Sequence, residues 1–149
     1  MSSLLVATDF SPAADLALTQ AIELARALDV GVELLHVHAI QSTPMPPTLD
    51  VARIPPSAKD VSRAEVMMLD RADRVRAAGV PCQTESRFGS AADEIVKRAE
   101  EIRPVFVVLG THGHSAFMHA LLGGVSEKVL RGARCPVLLV PWSQSQART

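Results

Sequence analysis

The stretch from Gly110 to Ser126, GTHGHSAFMHALLGGVS, holds four of the chain's eight glycines and no lysine. Glycine lets backbone approach a ligand closely. Where a glycine-rich turn joins a strand to a helix, phosphate is the usual guest. The run PVFVVL before this stretch reads as a strand, and EKVLRGA after it reads as a helix. Gly110 and Gly113 stand where a positive φ or a crowding ligand would require them. Gly123 and Gly124 immediately precede the helix, whose first N–H groups have no intrahelical partners. Those N–H groups, the helix dipole and the Ser126 hydroxyl could hold phosphate without a lysine. Two ordinary turns flanking the apolar AFMHALL segment would use the same glycines, and spacing alone leaves both readings open.

Asp9 is the second candidate. It follows the apolar run LLVAT, Leu4 to Thr8. Open α/β sheets bind ligands beyond the C-terminal strand ends, where the strand order reverses. If the first and fourth strands are neighbours there, Asp9 faces the glycine stretch. Aspartate is also a common turn former after a strand. The pairs His36-x-His38 and His112-x-His114 could bind zinc if they met, but His36 and His38 share one strand face and could equally pack under a helix. GHSAF has the outline of a hydrolase elbow. However, Phe117 replaces its second glycine, and Ser115 lies several residues past the strand end. A P-loop is excluded, because no glycine run ends in GK[ST].

The elements that must position these residues alternate. LLVAT leads into FSPAADLALTQAIELARALD, where Ser11 suits the N-cap, Pro12 the first helical position and Asp15 the first turn. Ala14, Leu18, Ala21, Ile22, Ala25 and Leu28 recur at helical spacing. Val32–Ile40 is the second strand. The proline-dense segment after it reads as a loop within the domain. Ser62 and Glu65 suggest a capping box opening the next helix, whose apolar face is Val61, Ala64, Met68, Ala72 and Val75. VPCQTESRF is a weak, polar strand, as expected at a sheet edge. Ser90 and Asp93 open a helix that buries Ile95, Val96, Ala99 and Ile102. PVFVVLG is apolar throughout, as in a parallel strand covered on both faces, and CPVLLVP is the last strand. This alternation predicts a single α/β doubly wound domain over residues 1–142, with a disordered tail at 143–149.

Composition narrows the function. A net charge of −1 over 149 residues gives no general attraction to nucleic acid or anionic membranes. Tyr is absent and Trp occurs once, so base-stacking platforms are lacking. No apolar run reaches the ~20 residues of a membrane span or forms a signal-peptide core. Two distant cysteines make no disulfide framework. The expectation is a soluble cytoplasmic protein.

VATDFSPAADLAL, LLHVHAI, FGSAADEIVKRAEE and GTHGHSAFMHALLGGVSEKVLRGARCPVLLVP resemble the universal stress protein family over nearly the whole chain. The nucleotide-binding subgroup carries G-x2-G-x9-G-S/T. Gly110, Gly113 and Gly123 match that motif, and Gly124 stands in place of Ser or Thr. The resemblance implies a five-stranded parallel sheet of order 3-2-1-4-5 that binds ATP, with or without Mg2+. It implies that backbone at Ala7 and Val37 meets the adenine and that Asp9 lies near the nucleoside. Gly110, Gly113, Gly123, Gly124, Val125 and Ser126 would surround the phosphates, and His112 joins the binding candidates. His36 and His112 occupy positions where the family commonly has histidine without metal. The resemblance also implies a homodimer through the C-terminal edge strand, Pro136–Val140, and a stress-linked sensor or regulator rather than an efficient enzyme. Two alternatives remain: a nucleotide-free interaction module, and a slow ATPase or self-phosphorylating protein.

Overall fold

The computed structural model describes residues 1–43, 52–111 and 124–142. Along them run β1 (Ser3–Ala7), α1 (Pro12–Leu28), β2 (Gly31–Ala39), β3 (Gln41–Thr43), β4 (Ala52–Ile54), α2 (Ala58–Ala77), β5 (Cys82–Gly89), α3 (Ala91–Ile102), β6 (Phe106–Thr111), α4 (Gly124–Gly132) and β7 (Val137–Pro141). Five strands form one parallel sheet, in order β5-β2-β1-β6-β7. Numbered without the two short strands, this is the expected 3-2-1-4-5 sheet. The strand order reverses between β1 and β6, which pair directly with Val6 opposite Val108.

Strand alternation sends successive side chains to opposite faces. Leu4, Val6, Leu34 and Val108 pack with Ala17, Leu18 and Ala21 of α1 and Met68 and Val75 of α2. Leu5, Leu35, Val107 and Leu109 pack on the other face with Ala92, Ile95 and Ala99 of α3 and Val129 of α4. The core is aliphatic and two-sided, which is why PVFVVL carries no polar alternation. Among the described residues no helix is long and apolar enough to cross a membrane. The tail at 143–149 lies outside them.

Helix starts follow local chemistry. At α1, the Ser11 hydroxyl accepts the Ala14 N–H at 3.2 Å, with Pro12 and Asp15 in the first turn. At α2 the Ser62–Glu65 expectation is overturned, because the helix already begins at Ala58. There Ser57 caps: its hydroxyl accepts the Asp60 N–H at 3.2 Å and donates to Asp60 Oδ2 at 2.6 Å. Ser62 and Glu65 sit exposed within the helix. The proline-dense segment is more than a loop, since β3 and β4 pair antiparallel at its base, Gln41 opposite Ile54.

The polar character of β5 has a physical cause. As an edge strand it exchanges part of an apolar core for an ionic one with α3. Arg87 pairs with Glu85 (3.1 Å) and with Glu101 (2.5 Å), and Arg98 joins Glu101 (2.9 Å) to the buried Glu33 of β2 (2.5 Å). Hydrogen bonds from Arg87 and Arg98 hold the Glu101 carboxyl down to about 2. A buried carboxylate whose partner is removed is strongly destabilising. Arg98 is partly exposed, so Arg98→Met should lower the unfolding free energy by roughly 2–3 kcal/mol, read by urea denaturation. A loss below about 0.5 kcal/mol would show that water takes over the arginine's role.

Candidate functional site

Beyond the C-terminal ends of β1, β2 and β6 lies a cleft of about 440 Å³. This is within the roughly 300–1,000 Å³ usual for small-molecule sites. Ala7, Thr8, Asp9 and Ser11 line it from the β1–α1 turn, Leu35 and Val37 from β2, and Leu109 and Gly110 from β6. The start of α3 contributes Ser90, Ala91, Ala92 and Ile95, while α4 contributes Gly124, Val125, Ser126 and Lys128. One wall is apolar (Leu35, Val37, Ala92, Ile95). The opposite end gathers helix N-termini, where partial positive charge and outward N–H groups favour an anion.

Ala7, Asp9, Val37, Gly110, Gly124, Val125 and Ser126, singled out in the sequence, therefore share one cleft. His112, Gly113 and Gly123 lie outside the described residues. Sequence reasoning missed Ser90 and Lys128. Ser90 stands at the α3 N-cap position, but its side chain makes no capping bond there. Lys128 looked like ordinary surface charge. It lies one helical turn after Gly124, and that spacing was the available signal.

The turn from Thr8 to Ser11 is built by its own polar groups. Thr8 Oγ1 accepts the Phe10 N–H at 3.0 Å, and Asp9 Oδ1 accepts the Ser11 N–H at 2.9 Å. The Thr8 N–H donates to Leu35 O at 2.9 Å, and His36 Nδ1 donates to Thr8 O at 2.8 Å. A carbonyl oxygen can only accept, so a neutral His36 carries its proton on Nδ1.

The two glycine positions behave differently. Gly110 has no positive φ. A Cβ there would collide with the carbonyl oxygen of Ala13, so the first turn of α1 crowds this position. Among the described residues nothing lies within 4 Å of a Cβ at Gly124, and its φ is not positive.

His36 and His38 point to the α1–α2 side of the sheet, away from the cleft that Leu35 and Val37 line. They pack edge to face, ring centroids 4.7 Å apart. Among the described residues no group of three His, Cys, Asp or Glu side chains could hold a metal. His114, the other half of the metal expectation, lies outside them along with His112. Burial, and then the neighbouring His36, lower the His38 pKa, with Glu65 opposing.

The universal stress protein family profile matches residues 1–141. The universal stress protein YxiE of Bacillus subtilis is 30% identical over 145 residues, covering 93% of this chain and 98% of that protein. A shorter match of 44% identity over 62 residues, to the Methanocaldococcus jannaschii universal stress protein MJ0531, spans 36% of that protein and 42% of this chain. Among solved structures, a universal stress protein family member from Burkholderia pseudomallei superposes with a TM-score of 0.70 at 30% identity, covering 95% of this chain and 96% of that one. An Arabidopsis thaliana family protein with AMP bound superposes with a TM-score of 0.69 at 22% identity, covering 98% of this chain and 95% of that one.

Two expectations follow from this geometry. Gly110→Ala should cost about 1–3 kcal/mol of stability through backbone overpacking, whereas Gly124→Ala should change it by less than about 0.5 kcal/mol. Urea denaturation of both variants checks the contrast. His38 resists protonation when folded, so the unfolded chain takes up its proton first. Stability should therefore be complete above about 6.5, the ordinary histidine value, and fall as pH drops below it. His38→Phe should flatten that acid slope in melting temperature between pH 7.5 and 5.5, and an unchanged slope would assign it to other groups.

Proposed function

Because the chain belongs to the universal stress protein family, we propose that its cleft binds an adenine nucleotide, ATP above all. Occupancy of the cleft would be the signal of a cytoplasmic stress regulator. The observation that carries this reading is the convergence, on one cleft at the strand-order reversal, of an apolar slot and three helix starts. Leu35, Val37, Ala92 and Ile95 suit a flat apolar base. Backbone at Ala7, which ends β1 at the cleft, can read its edge, and Asp9 stands beside them for the sugar. The Gly124–Ser126 turn of α4 and Lys128 suit the phosphates, through N–H groups, a hydroxyl and one ammonium. The AMP held by the Arabidopsis thaliana protein of the same fold agrees with this ligand class.

Mg2+ would rest mainly on the phosphates. It demands several oxygen ligands in near-octahedral geometry, and among the described lining residues Asp9 is the single carboxylate, with one oxygen already accepting the Ser11 N–H. That bond also makes Asp9 a weak candidate for a general base, so the reading is binding rather than turnover.

Gly124 weakens the phosphate end without closing it, since it keeps the backbone N–H, and the described residues around it leave room for a side chain. β7 is an outer strand, with Val137, Leu138 and Leu139 only partly buried. An exposed apolar edge invites pairing, and pairing with the same strand of a second copy closes the assembly symmetrically. A homodimer through Pro136–Val140 is the corresponding proposal, checked by sedimentation at twice the chain mass.

Analysis of the nucleotide released from denatured protein, followed by calorimetric titration of ATP with and without magnesium, tests the reading. Gly124→Ser should tighten ATP by up to about tenfold, one added hydrogen bond. Lys128→Ala should weaken ATP by about two- to fivefold and leave adenosine unchanged, as suits an exposed charge pair. A wild-type protein that neither carries nor binds nucleotide would leave the interaction module as the better account.

A further inference from the structure

Phe10 adopts φ 65°, a left-handed conformation that costs a bulky residue about 1–3 kcal/mol and persists only where surrounding structure enforces it. It lies between Asp9 and Ser11. Thr8, Asp9 and Ser11 line the cleft, and Phe10 alone of the four does not. The unusual φ turns one side chain to the back of the sheet while its neighbours stay at the front.

Behind the sheet the ring is clamped on several sides. Its centroid lies 4.5 Å from that of His36, and the Arg71 guanidinium carbon sits 5.3 Å from its centroid. Arg71 is fixed in turn by two parallel bonds to Asp15, both 3.1 Å. His36 bonds the carbonyl of Thr8, so one imidazole supports both the ring and the backbone of the turn. The ladder continues through His38 to Phe88 at 4.7 Å. Phe88 precedes Gly89, at φ 146°, and Ser90, which lines the opposite wall of the cleft.

We infer that Phe10 is a positioning residue: its ring, held between His36 and Arg71, locks the strained turn that presents Asp9 to the nucleoside half of the cleft. This rests on the nucleotide reading above. Contacts on the α2 face thereby set affinity on the α3 face, through a turn whose own bonds from Thr8 and Asp9 leave Phe10 strained. The ladder ties the two cleft walls together from behind, so an event at Arg71 or Phe88 is felt at Asp9.

The test pairs amide hydrogen exchange on the ligand-free protein with titration of ATP and of inorganic tripolyphosphate. Phe10→Gly removes the ring and accepts the same φ without strain, so folding survives. In that variant the amides of residues 10 and 11 should exchange at least about tenfold faster, with Leu4–Val6 unchanged, as a local opening does. ATP affinity should fall about tenfold through lost preorganisation, while tripolyphosphate binding stays constant. Phe10→Tyr should restore both readouts. Wild-type exchange together with wild-type ATP affinity in Phe10→Gly would overturn the positioning role and leave the nucleotide reading standing. Equal losses for ATP and tripolyphosphate would overturn it too, as general loosening. Faster exchange in a protein that binds no ATP even as wild type would support the lock and sink the nucleotide reading instead.

Discussion

The structure depends on one close approach, the first turn of α1 against β6. A side chain at Gly110 would collide with the Ala13 carbonyl, so a hydrogen atom at this position is what lets the helix seat there. With α1 seated, its N-terminus opens beside the β1–β6 junction, where the strand order reverses. The turn from Thr8 to Ser11 must then bridge the strand end and the helix start within four residues. It does so with side chain-to-backbone bonds from Thr8 and Asp9 and with a left-handed Phe10. The cleft is the space this tight junction leaves between the β1–α1 turn and the starts of α3 and α4.

The two faces of the sheet divide the work. On the α3 side, ionic contacts from Glu33, Arg87, Arg98 and Glu101 fasten the helix whose N-terminus forms one wall. On the α1–α2 side, rings and one clamped guanidinium brace the turn that forms the other. Both kinds of contact reach the cleft through backbone, and backbone is also what a glycine-rich site offers a phosphate. The proposed phosphate end accordingly needs only the single ammonium, Lys128, found in the described lining.

Much of this was legible in the sequence because it follows from periodicity and caps. Unbroken apolar runs marked β1 and β6, period two placed His36 and His38 together, and Ser11-Pro12 announced α1. The start of α2 was misread because Pro55 and Pro56 prolong the look of a loop, while Ser62 and Glu65 imitate a capping box from an exposed helical face. β3 and β4, at three residues each, are too short for alternation to register. Ser90 and Lys128 join the cleft only after distant helices converge. The role of Phe10 was hidden because a positive φ at a bulky residue has no local sequence signature. Gly110 was noticed for a positive φ or a crowding ligand; its φ is not positive, and the crowding that the structure shows comes from the chain's own helix.

The most direct test of the central claim is a backbone-amide chemical-shift map of the protein titrated with ATP. The account expects saturable shifts at Ala7, Asp9, Val37, Gly110 and Gly124–Ser126, with β3 and β4 silent. Shifts confined to another surface, or none at saturating nucleotide, would contradict it.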